Sequence, residues 1–80
     1  MSKFSPHLES VHRKLIVAKL AEDEALIAVV AADTRAKSML DADLEASIDA
    51  GLAYHRAIKT RELAQSEYTK ALHDEVAKSF

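Results

Sequence analysis

The sequence has no cysteine and no tryptophan, and only one glycine and one proline in 80 residues. Without cysteine, neither a disulfide nor a thiolate-bound metal can staple a chain this short, so oligomerisation is the remaining common route to a stable core. The same absence agrees with a reducing compartment, and a cytoplasmic location is the expectation. One glycine and one proline are too few punctuation residues for a many-stranded sheet, which leaves few and long helices. No apolar run approaches the ~18–20 residues a membrane-spanning helix needs. The segment Leu15-Ile16-Val17-Ala18 is too short for the core of an export signal. Neither a glycine-rich phosphate loop nor a nucleophile–base pair is present, so no enzyme and no cofactor are expected.

What the chain does have is apolar surface: hydrophobic residues make up 49% of it, many of them alanine. Residues 25–32 read Ala-Leu-Ile-Ala-Val-Val-Ala-Ala, between the acidic triplet Glu22-Asp23-Glu24 and Asp33. Alanine fills half of this run, and no Gly, Pro or Asn bounds it. The run is therefore expected to be a helix apolar all round rather than a strand.

The net charge of −2 conceals an uneven distribution. Residues 21–50 carry eight acids against Arg35 and Lys37, a net of −6, whereas the first twenty residues carry +3 and the last thirty +1.

In chain order, residues 1–5 are expected to be a flexible tail. Ser5-Pro6 then suits a helix start, with serine capping and proline at the first helical position. From Pro6 to about Lys37 nothing breaks the helix. At ~100° per residue, Leu8, Val11, Leu15, Ile16, Leu20, Leu26, Ile27, Val29 and Val30 share one broad face. Arg35 and Lys37 suit a helix C-terminus, and Asp41, Asp43 and Glu45 the next N-terminus, placing the turn near residues 37–43. Either a capping box from Ser38 to Asp41 or Asp41 alone would cap the second helix. One continuous helix is the alternative.

The second helix is expected over residues 41–79, with an apolar stripe of Leu44, Ile48, Leu52, Tyr54, Ile58, Tyr68, Leu72 and Val76. Gly51 falls on that side; it would either end a helix at Ala50, with Leu52 as the following contact, or, the preferred reading, lie inside one long helix at a cost of ~1 kcal/mol against alanine. Folding the chain near residue 39 sets residues 25–32 against 46–53. Ala46, Ala50 and Gly51 then become candidates for close helix packing. The reading is all-α: two long antiparallel helices, a coiled-coil-like helical hairpin, forming a single domain over residues 6–80. Because the first helix is apolar over more than one partner can cover, two hairpins are expected to dimerise into a four-helix bundle. The expected interface is Leu15, Leu26, Ile27 and Val30; a different protein supplying the missing helices is the second choice.

Polar candidates are few. Glu9 and His12 have the Glu-x-x-His spacing of carboxylate-bridged di-metal bundles, with Glu67 at a suitable level. Glu67 points away from its helix's stripe, however, and solvated histidines (His7, His12, His55, His73) with no bound metal are the expectation. His12, Lys19, Asp23, Arg61 and Gln65 interrupt the apolar stripes, either where the seam rotates or as a polar layer that fixes register. Arg13, Lys14, Arg56, Lys59 and Arg61 form a modest basic set, the basis of an alternative reading as a nucleic-acid-associated protein. The acidic turn end would suit a basic protein surface. The leading expectation is a non-enzymatic protein–protein interaction module: an adaptor, regulator or inhibitor that occupies a partner's surface.

Overall fold

The computed structural model describes residues 4–38 and 40–79. They form two helices, α1 (Pro6–Ala36) and α2 (Asp41–Ser79), of 31 and 39 residues, folded back on each other as an antiparallel hairpin. The fold is the expected all-α hairpin, with a Cα envelope of 60 × 21 × 12 Å, one helix pair thick throughout.

α1 begins as its sequence directs. Ser5 is extended (φ −63°, ψ 150°), its hydroxyl accepts from the Leu8 N–H at 3.2 Å, and Pro6 occupies the first turn. Of the tail expected at residues 1–5, Met1–Lys3 lie outside the described residues. Ser5 is held, since its N–H donates to the Glu75 carboxylate of α2 at 3.2 Å.

The turn forms without glycine or proline. The Ser38 N–H reaches back to the Arg35 carbonyl at 3.0 Å, closing a tight turn, and the Ser38 hydroxyl donates to Asp43 at 2.7 Å. Neither Ser38 nor Asp41 takes the cap position of α2. Leu40 does: its carbonyl accepts from the Leu44 N–H, and Asp41 is already the first helical residue. The acids Asp41 and Asp43 stay in the first turn, at the positive end of the helix dipole.

Between the helices, the seam follows an alternating three-and-four spacing, the period of a left-handed coiled coil. On α1 the seam residues are Leu8, Val11, Leu15, Ala18, Glu22, Ala25, Val29, Ala32 and Ala36. On α2 they are Asp43, Ser47, Ala50, Tyr54, Ala57, Arg61, Ala64, Tyr68, Ala71 and Glu75. Every one of them is buried or half-buried. Large residues of α1 face small residues of α2: Leu8 and Val11 pack on Ala71, and Leu15 with Ala18 packs on Ala64. Tyr68 lies against both clusters.

This seam differs from the stripe expected on α2. Tyr54 and Tyr68 belong to it, and Ile58 and Leu72 are half-buried at its edge, Leu72 against Leu8, Val11 and Ala71, but Ile48, Leu52 and Val76 stand 64%, 51% and 52% exposed, and Leu44 is exposed as well. Alanine carried the real seam: a side chain that adds little to an apolar stripe still lets two helix backbones approach closely.

Candidate interaction surface

Polar clips punctuate the seam. Arg61 Nε donates to Glu22 Oε2 at 2.7 Å, midway along the hairpin. Ser47 donates to Asp33 nearer the turn, and Ser5 to Glu75 at the open end. The hydrogen bond that Arg61 donates to Glu22 outweighs its partial desolvation, so its guanidinium is held protonated even more firmly than usual. Both side chains remain partly wet, so the pair matters less as a source of stability than as a register mark. A slip of one heptad would set Glu22 against a tyrosine. Arg61 is one of the polar residues expected to interrupt the apolar stripe of the second helix, as well as a member of the basic set; Glu22 is not among those expected interruptions. Only the three-and-four spacing reveals that both residues lie in the seam.

On one side of the seam, Lys19, Glu22, Asp23, Arg61 and Gln65 line a common groove. That fixes which residues share the side, because three- and four-residue steps keep a helix face. On α1 it holds His12, Ile16, Lys19, Asp23, Leu26 and Val30. On α2, steps of seven from Gln65 reach Leu44, Gly51, Ile58 and Leu72, with Ile48 and Val76 beside them. Much of this side is uncovered: Leu26 is 44% exposed and Val30 58%. Ile27, at 70%, stands on the adjoining outer edge with Leu20. The run at residues 25–32, apolar all round, thus buries only Ala32 and half-buries Ala25 and Val29.

Of the expected interface residues, Leu26, Ile27 and Val30 are open, but Leu15 is not. It is 3% exposed, sealed against Ala18 and Ala64 inside the hairpin, and has no surface left for a second molecule. The close-packing trio separates too. Ala50 is half-buried in the seam and Ala46 is exposed. A Cβ on Gly51 would meet nothing within 4 Å. The close approach expected at Gly51 is not made within the chain, because the glycine lies beside the seam on the uncovered side.

The opposite side carries a groove of its own. A groove of about 640 Å³ runs between the helices over Val17, Ala18, Ala21, Leu63 and Ala64, with Arg13, Lys14 and Glu67 among its walls. The basic set is spread out. Arg13 and Lys14 share that groove with Glu67, Lys59 shares another with Glu62, and Arg61 is bound to Glu22. Arg56 is exposed and lines neither groove, so the set does not converge on one groove. Glu67 lies across the seam from His12, which instead stacks on Tyr68 with ring centroids 5.0 Å apart. Among the described residues no three His, Asp or Glu side chains are grouped to hold a metal ion, and no helix is long and apolar enough to cross a membrane. No family model, no curated protein and no solved structure matches the chain.

Proposed function

We propose that the chain is a non-enzymatic protein–protein interaction module, a small helical adaptor, regulator or inhibitor. Its working surface is the uncovered apolar side of the hairpin, and it acts by laying that side against other helices. The first partner is a second copy, which completes a four-helix bundle.

One observation carries this reading: the hairpin leaves most of its Leu, Ile and Val side chains outside and closes α2 onto α1 largely through alanine. Fully burying a Leu or Ile side chain contributes ~1.5–3 kcal/mol, and Leu26, Val30, Ile48 and Leu52 are each 44% or more exposed. A stable interface takes ~800 Å² from each partner, and a side 60 Å long and 21 Å wide accommodates that. Light scattering coupled to size exclusion tests the proposal. At tens of micromolar the wild-type protein should run at twice its 8.8 kDa chain mass, and Leu26→Asp should run smaller. A wild-type monomer that remains fully helical at that concentration would refute self-association.

A further inference from the structure

Resting on the self-association proposed above, we infer how the second copy sits: turn against open end, with Leu72 of each copy seated over Gly51 of the other. Three independent features agree on it.

The first is the glycine. Gly51 lies ten residues inside α2, clear of its ends, and costs ~1 kcal/mol there against alanine. Nothing in the hairpin uses the space it leaves, since a Cβ would meet no atom within 4 Å. Exposed Ile48 and Leu52 flank it. The notch therefore opens outward, on the side that self-association would cover.

The second is symmetry. Two face-to-face copies related by a two-fold axis across their length stack α1 on α1 and α2 on α2, each pair antiparallel. α1 runs from Pro6 to Ala36, so its centre is Ala21. Lys19 and Asp23 lie two residues either side of that centre, on the uncovered side. With the axis there, each Lys19 stands level with the second copy's Asp23. The Glu22–Arg61 bond sets this level on α2 between Arg61 and Glu62. Gly51 and Leu72 are equidistant from that point and share the uncovered side with Gln65; Leu72 is half-buried against Leu8, Val11 and Ala71, and the same axis brings its open half to the notch. It also sets Leu26 against Ile16 of the other copy.

The third is charge. Residues 21–60, the turn half, carry eight acids against four cations, a net of −4, and the remaining residues carry seven cations against five acids, +2. Turn-to-turn packing sets −4 on −4. Turn-to-open-end packing sets −4 on +2 twice, a preference that salt weakens.

The absence of cysteine makes a clean test, because one introduced thiol is the only labelling site. Lys37→Cys, carrying a spin label, marks the exposed turn. Lying sixteen residues from the axis, it should give an inter-label distance of about 50 Å at 1.5 Å per residue. A label distance under roughly 20 Å, one bundle width, means turn-to-turn packing and overturns the inferred orientation while the dimer stands. Loss of the dimer in the unlabelled wild type overturns the self-association beneath it. Gly51→Leu probes the notch. It has free space within the hairpin and a better helix former at that position, so helicity should hold or rise while the dimer dissociation constant rises roughly tenfold or more. An unchanged constant refutes the notch. Lys19→Asp and Asp23→Lys should each weaken the dimer, and the double exchange should restore it; failure of the restoration overturns the pairing at the axis.

Discussion

Leu15 and Ile16 are neighbours of similar size, and only their place relative to the seam separates them. Leu15 is 3% exposed among Ala18, Ala64 and Tyr68; Ile16 is 45% exposed on the open side. Truncating a buried leucine to alanine costs ~2–5 kcal/mol, depending on how far the surroundings collapse. A hairpin one helix pair thick collapses readily, so Leu15→Ala belongs at the lower end, ~2–3 kcal/mol. With a urea m-value of ~1 kcal/mol/M for a small domain, the midpoint should fall by ~2–3 M, close to complete unfolding. Ile16→Ala removes a side chain only half covered by its own chain and should cost under ~1.5 kcal/mol at concentrations where the dimer has dissociated. Urea titration followed by circular dichroism, repeated over a hundredfold range of protein concentration, separates the two. Leu15→Ala should lower the midpoint everywhere, whereas Ile16→Ala should act mainly where the protein associates. Equal losses from both at the lowest concentration would refute the seam.

Three other outcomes are expected. Ala71→Leu inserts bulk where α2 meets Leu8 and Val11; overpacking of this kind should destabilise the hairpin by ~1–3 kcal/mol in a thermal melt. Ile27→Asp and Leu26→Asp should reduce both apparent mass and helicity, while Val17→Asp, on the opposite side and 66% exposed, should leave the mass unchanged. Titration with DNA and RNA should show no binding that weakens steeply with salt, because the cations do not converge on one groove; steep salt dependence would restore a role for Arg13, Lys14, Arg56 and Lys59 in phosphate contact.

The sequence made the helices and the turn legible because their causes are local. Ser5-Pro6 caps, Asp41 and Asp43 suit a helix start, and no residue between Pro6 and Ala36 breaks the first helix. The partition of apolar surface was not local. A straight-helix wheel placed Leu15 and Ile16 on one face, whereas the coiled-coil period separates them over the length of α1. An apolar stripe is conspicuous in proportion to side-chain size, so Leu44, Ile48 and Leu52 stand out over Ala50, Ala57, Ala64 and Ala71, which make the seam. Gly51 was legible as a place for close packing. That nothing within the chain packs on it depends on which side of the seam it occupies, a matter of three or four residues of phase.

Small-angle X-ray scattering tests the central claim most directly, because it reports mass and shape together. One hairpin has a Cα radius of gyration of 17.8 Å. Stacking a second copy face to face, with helix axes ~8–10 Å apart, doubles the mass while raising that radius by only about 1 Å. Forward scattering should correspond to two chains, with a maximum dimension still close to the single hairpin's length. Forward scattering for one chain, or two chains with a maximum dimension well beyond 60 Å, would contradict it.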